Sequence, residues 1–303
     1  MGFTWEKITY RGSDAAEITG YEGRLPDLEI PEKMEGLPVR SIAAHAFSGR
    51  SDIRSVVLPE SLVTMHLFAF YNCPRLETME LYNSADDYYD GVIRQCPLLG
   101  TITVRCVQPE NYALIRSMLQ DVDVTLTFRL LDAQGKERVK LTFPEYVNEA
   151  KEDTMARAIH FSIEGAGMAY RECVGKKALD LAGYDRLLGR LTDYDFDVAA
   201  RIAFGRLLYP EGLTEQAEGG YESFLRDNDE KTLRFLIRED EKHSCMEEIR
   251  LMTERSLIGE EGLKTALEEA SELGRSEVCS VLMEYRAQSG SGSGAGETLS
   301  LDW

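Results

Sequence analysis

Cys73 and Cys96 are the first residues of this chain that could act together chemically, because a thiol pair can attack a carbonyl, hold a soft metal or close a redox bond. Each precedes a proline, and the two Cys-Pro steps lie 23 residues apart. That regularity favours a duller role, a small side chain packed at the same corner of two repeated units. The six cysteines include no Cys-x-x-Cys pair, so neither a zinc ribbon nor a disulfide framework is indicated. Asp193-x-Asp195-x-Asp197 opens like a calcium loop, but Val198 stands where the glycine is needed and Phe204 where the closing glutamate belongs. Gly165-Ala-Gly167 opens like a dinucleotide turn, with Tyr170 in the third glycine's place. His45, His66, His160 and His243 follow no metal or triad spacing, and no phosphate loop or nucleophile elbow occurs. No catalytic residue, metal site or cofactor is therefore expected. The enzymatic alternative is a site assembled from distant residues between a β-hairpin and a helical domain, around residues 146–175.

The elements that carry these residues repeat. Ala46-Phe47 and Ala69-Phe70 are 23 residues apart, as are Leu58, Leu81 and Val104. In the second repeat Ile53, Val56 and Leu58 make a short strand that Pro59 stops, and Leu62, Met65, Ala69 and Phe70 return along the back. Leu76, Met79 and Leu81 head the third repeat, where Val92-Ile93 replaces Ala-Phe; Leu99, Ile102 and Val104 head the fourth, which then degenerates. The first uses Leu28, Ile30-Pro31, Ile42 and Ala46-Phe47, with five extra residues around Gly36–Arg40. One such coil cannot bury its apolar ridge, but a stack can, and the period is that of a leucine-rich-repeat solenoid.

Ile18-Thr-Gly-Tyr21, Leu28-Glu-Ile-Pro31, Gly36-Leu-Pro-Val-Arg-Ser-Ile42, Ala46-Phe47 and Val57-Leu-Pro-Glu-Ser-Leu62 resemble the BspA-type leucine-rich repeats of bacteria, over about residues 15–106. The resemblance implies a protein-binding solenoid and, as an alternative role, a cell-surface adhesin. Met1–Glu6 has neither a basic nor an apolar leader segment, so a cytoplasmic location with reduced thiols is expected.

Strand alternation turns Val56 and Leu58 inward and Ser55 and Val57 outward. Stepping by one repeat gives Thr78 and Glu80, then Thr101 and Thr103; the first repeat aligns Asp27 and Glu29. These eight residues form two rows on the strand face and are the candidate protein-binding residues of the solenoid. A net charge of −19 repels phosphate and anionic lipid heads, so the expected partner is a protein, with no nucleic acid and no membrane.

Val122, Val124, Leu126, Phe128 and Leu130 alternate with polar residues, as do Val139, Leu141 and Phe143; with Asp132–Lys136 between them they predict a β-hairpin that caps the solenoid. Ile159, Phe161 and Ile163 predict one more strand. From about Lys176 the period turns helical: Tyr184, Leu187, Leu188 and Leu191, then Ala199, Ile202, Ala203 and Leu207. Gly262–Leu267, Ala270, Gly274, Glu277-Val278 and Leu282 resemble an ankyrin repeat, and residues 231–258 a weaker unit before it. Ser289–Gly296 is a flexible linker, and Leu299, Leu301, Asp302 and Trp303 behind it read as a tethered docking peptide. The fold class expected is α+β: a short leucine-rich-repeat solenoid capped by a β-hairpin, followed by an α-helical, ankyrin-like repeat domain. Its segments are 1–145, a connecting 146–175, a helical 176–288 and the tail 289–303. The function expected is a non-catalytic interaction module or scaffold.

Overall fold

The computed structural model describes residues 2–153, 158–191, 193–239 and 244–290. Contacts divide the chain into two compact units, Met1–Val198 with Tyr209–Leu213, and Ala199–Leu208 with the chain from Thr214 onward.

The first unit opens with a hairpin, β1 (Gly2–Tyr10) and β2 (Ser13–Glu22), and then alternates between two sheets. β3 (Asp27–Glu29) lies in front, and β4 (Lys33–Met34) and β5 (Leu37–Ile42) lie behind. β6 (Ser55–Val57) and β7 (Thr64–Met65) repeat the step, as do β8 (Thr78–Tyr82) and β9 (Asp87–Tyr88). β10 (Thr101–Arg105) then leads into helix α1 (Ala113–Asp121), and β11 (Leu126–Leu131) and β12 (Glu137–Phe143) follow. The front sheet runs β12-β11-β10-β8-β6-β3, parallel except for the last hairpin, and the back sheet runs β1-β2-β5-β7-β9 with β4 paired to β5.

Identical backbone turns at every coil make this stack possible. His45, Phe68 and Gly91 all have positive φ (59°, 58° and 72°), and so do Gly49, Asn72 and Gln95 (73°, 55° and 61°). Both columns repeat every 23 residues, so each corner is built in the left-handed region that most side chains avoid. Gly91 takes the corner without a side chain where His45 and Phe68 carry one, and a Cβ there would lie 2.4 Å from the Phe68 ring unless that ring moved. Between the corners the core is a ladder. Phe47 and Phe70 stack at 5.0 Å with rings 6° from parallel, and Ile93 takes the next place. The backbone N–H groups of Phe47 and Phe70 donate to Ala69 and Val92 of the following coil, both at 2.8 Å. The thiols of Cys73 and Cys96 donate to the carbonyls of Phe47 and Phe70 in the preceding coil, each at 3.2 Å.

The end of the stack departs from the period. Leu114, Ile115, Met118 and Leu119 bury one face of α1, which replaces a return strand. Its last residue, Asp121, accepts from Tyr88 Oη (2.5 Å), the Gly91 N–H (3.0 Å) and Arg94 (3.3 Å), so the helix is bolted to the third coil. Asn83, 1% exposed, spends its amide on the loop before α1: it donates to Gln108 O and Asn111 O and accepts from the N–H groups of Val107 and Gln108. The predicted hairpin is present, but it does more than cover: β11 pairs in parallel with β10 and extends the front sheet.

The strand expected near residue 160 is β14 (Ala158–Glu164), paired antiparallel with β13 (Val147–Asp153). The short helices α2 (Gly167–Glu172) and α3 (Leu181–Asp185) follow. The helical spacing of Tyr184, Leu187, Leu188 and Leu191 yields only α3 and a single 3-10 turn at Leu188–Arg190. Tyr184 explains the departure. Its ring packs edge-on against Phe143 and Tyr170, and its hydroxyl both donates to Thr142 O (2.6 Å) and accepts from Thr142 N–H (2.9 Å). Those bonds tie this stretch to the outer edge of β12 instead of to another helix. Gly165-Ala-Gly167 proves to be a packing device: a Cβ on Gly167 would fall 2.2 Å from Pro144 O.

The second unit holds most of α4 (Phe196–Leu208), then α5 (Glu215–Asp227), α6 (Asp229–Arg238), α7 (Met246–Glu254), α8 (Glu260–Glu272) and α9 (Ser276–Gly290). The N-termini of α6 and α8 are joined by the Gly259 N–H donating to Asp229 (2.7 Å). Their C-terminal halves meet where Arg234 and Arg238 pair with Glu269. The two helices therefore run the same way, and buried positions recur 30 residues apart: Leu233 and Leu263, Leu236 and Ala266, Met252 and Leu282.

Truncating the stacked ring in Phe70→Ala is expected to cost about 3–5 kcal/mol in denaturant unfolding. Gln95→Gly, which relieves a left-handed residue at an exposed corner, is expected to be neutral or to gain up to about 1 kcal/mol. A loss from Gln95→Gly would refute the strained-corner account.

Candidate functional site

Front-sheet register places all eight predicted solenoid residues where the sequence puts them. Asp27 pairs with Ser55, Ser55 with Thr78 and Thr78 with Thr101; Glu29 pairs with Val57, Val57 with Glu80 and Glu80 with Thr103. Val56 and Leu58 point into the core while Val57 is 37% exposed. The hairpin carries both rows two strands further, through Thr127 and Thr142 and through Arg129 and Lys140. Thr127, Arg129 and Lys140 are the part of the face that sequence reasoning missed; Thr142, 1% exposed, shares the register but is buried. The signal for them was the continued inward series Ile102, Phe128 and Leu141, displaced from the 23-residue spacing by α1.

The face is knit by short polar contacts. Ser55 donates to Asp27 (2.8 Å), and the Thr127 and Thr142 hydroxyls meet at 3.0 Å. Glu80 pairs with Arg105 on the neighbouring strand at 2.6 Å, and Arg129 with Glu137 at 2.6 Å. Free carboxylate character is concentrated at β3, with Asp27 and Glu29 exposed, and the guanidinium and ammonium groups of the rows lie on β11 and β12. The face thus has an acidic end at β3, while at the other end Arg129 is already paired with Glu137.

The acidic end is clamped from below. Arg50 forms a two-pronged pair with Asp52, both contacts at 2.7 Å, and donates to Tyr21 O (2.9 Å) and Gly23 O (2.8 Å). Asp52 in turn accepts from the Leu25 N–H at 3.0 Å. Chiefly through its bond to Arg50, and against the opposing effect of burial, the Asp52 carboxyl is held well below the usual carboxylate range.

Groups that could do covalent chemistry are engaged otherwise. Cys73 and Cys96 are buried and free of disulfide; the contact between the two thiols, and after it burial, pushes the Cys73 thiol up, while the same contact lowers that of Cys96. His45 stacks on Phe68 at 5.3 Å. His66 approaches Glu17 at 3.4 Å and Tyr89 at 5.0 Å, but Ser41 donates to that same Glu17 and not to His66, so the trio lacks a nucleophile–base pair. The side chain of His160, the whole of His243, and the predicted docking residues Leu299, Leu301, Asp302 and Trp303 lie outside the described residues. Among the described residues no three His, Cys, Asp or Glu side chains gather to hold a metal, and no helix is long and apolar enough to cross a membrane.

Residues 21–133 match the family model of the BspA type leucine rich repeat region, in six copies. Among solved structures the chain is similar to a T. pallidum leucine rich repeat protein, with 19% identity, 33% of this chain and 68% of that one covered, and a TM-score of 0.25. It is also similar to a leucine-rich repeat protein from Bacteroides ovatus, with 16% identity, 35% and 48% covered, and a TM-score of 0.23, so it spans about half of that protein's length. No curated protein matches.

Asp52→Asn is expected to lower stability at neutral pH by about 1–3 kcal/mol, since it leaves Arg50 unpaired. The folded pKa lies below the unfolded value of about 4, so the contribution is complete above that value and fades as pH falls through the folded one. In denaturant titrations the gap between wild type and variant should close in acid; a gap independent of pH would refute the assignment.

Proposed function

We propose that the protein is a non-catalytic interaction module, a reading that starts from the match of residues 21–133 to the BspA-type leucine-rich repeat region. The observation that carries this reading is the front face: two rows of short polar and charged side chains in register across the sheet, with an exposed valine among them. Solenoids use such a face as an extended contact surface, where many small contacts supply the affinity that a pocket supplies elsewhere. Its acidic end at Asp27 and Glu29 calls for a protein partner that presents positive charge there. The 30-residue recurrence in the helical unit supports an ankyrin-like repeat there, a second surface of the same type. We place the protein in the cytoplasm, with Leu299, Leu301, Asp302 and Trp303 acting as a tethered docking peptide behind the glycine-serine linker.

The test is affinity recovery from native cytosol with three proteins: full length, a form ending at Ser289, and a Thr101→Arg/Thr103→Arg variant. The face variant is expected to lose its solenoid partner by about tenfold or more with its thermal midpoint unchanged, and the truncated form to lose only what the peptide docks. Retention of every partner by both altered proteins would overturn the proposal.

A further inference from the structure

Arg171 is 6% exposed, yet among the described residues it forms no ion pair. Its Nη atoms donate to neutral carbonyls: Nη1 to Pro144 O and Gly167 O (3.1 Å), Nη2 to Val124 O (2.7 Å). Its Nε–H has no partner. The guanidinium lies over the Tyr146 ring at 4.8 Å, and Asp123 acts on it only from a distance. Burial pushes its pKa down to about 10, so the cation is retained at neutral pH in a setting that penalises it. A buried cation held by dipoles alone is a site with half its charge missing.

Arg171 and Tyr146 both border a cavity of about 230 Å³ with Arg116, Gln120, Leu119 and Met168. Arg116 donates through one Nη to Val174 O (2.6 Å), which leaves donors of its fork uncommitted among the described residues. Glu172 also borders the cavity but is exposed, where water screens it. An engineered apolar cavity of about 150 Å³ holds a benzene ring, so this space takes one ring and a carboxylate. We propose that the cavity binds a small monocarboxylate with an apolar body, the carboxylate seated against Arg171 and Arg116 and the body against Leu119 and Met168. The uncommitted donors of Arg116 suit direct contact with a carboxylate, the Arg171 charge beside them attracts it, and the apolar wall selects against a bare inorganic anion. This site is separate from the strand face and stands whether or not that face binds protein.

The test uses full-length, ¹⁵N-labelled protein titrated with benzoate, with benzamide as its uncharged counterpart and acetyl-Ala-Phe as a peptide C-terminus. The Arg171 Nε–H resonance is identified by its loss in Arg171→Lys. Benzoate is expected to shift that resonance and to bind about tenfold or more tightly than benzamide. Arg116→Gln leaves the carbonyl contacts of Arg171 in place and is expected to weaken benzoate by about tenfold, and so it carries the comparison even if Arg171→Lys fails to fold. Glu172→Gln is expected to tighten it. Equal affinity for benzoate and benzamide, an unmoved Nε–H, or indifference to Arg116→Gln would overturn the site. Tighter binding of acetyl-Ala-Phe than of benzoate would overturn the small-molecule assignment in favour of a peptide end.

Discussion

Everything in the first unit depends on one constraint: each coil must present its backbone N–H and C=O groups at the height where the next coil can pair with them. Val57, Glu80 and Thr103 can form a row only because the strands that carry them start at equal chain intervals. The interval is held by the two left-handed corners, which fix where each return begins. The thiols of Cys73 and Cys96 belong to the same constraint, since each spends its hydrogen on a carbonyl one coil back. A side chain free to react there would leave a buried carbonyl unpaired.

A parallel stack leaves two open ends, and an open end is a template for aggregation. At the start, β1 folds antiparallel onto β2 and covers the back sheet. At the far end three devices act together: Asp121 fastens α1 to the third coil, β12 turns the front sheet antiparallel, and Tyr184 occupies both backbone groups of Thr142 on the outer edge. Arg171 closes the base of that hairpin by holding the residues before β11 and after β12 at once. Gly167 permits the approach that brings these groups together.

The repeating part of the fold was legible because it is dictated by local spacing. Leu58 and Leu81, Phe47 and Phe70, and the alternation around Val56 fix period, register and facing without any long-range knowledge. The parts that were not legible are those whose reason lies in another segment. α1 answers to Tyr88, Gly91 and Arg94, none of which is near it in sequence. The stretch around Tyr184 carries a helical pattern of leucines, but two hydrogen bonds to Thr142 and two aromatic contacts outweigh it. Buried Arg171 gave no signal at all, because a lone arginine reads as surface until its carbonyl partners are known.

The coil-to-coil ladder also determines how the first unit would respond to force. Its hydrogen bonds point along the stacking direction, as in Phe47 N–H to Ala69 O and Phe70 N–H to Val92 O. A tension applied along that direction meets the coil interfaces in series, so each bears the full load and the weakest yields first. The first two front interfaces are the shortest, three residue pairs each for β3 against β6 and for β6 against β8, and the terminal one relies on the Arg50–Asp52 clamp beneath it. Such a body extends by peeling from that end, coil by coil, in many small steps instead of a single rupture.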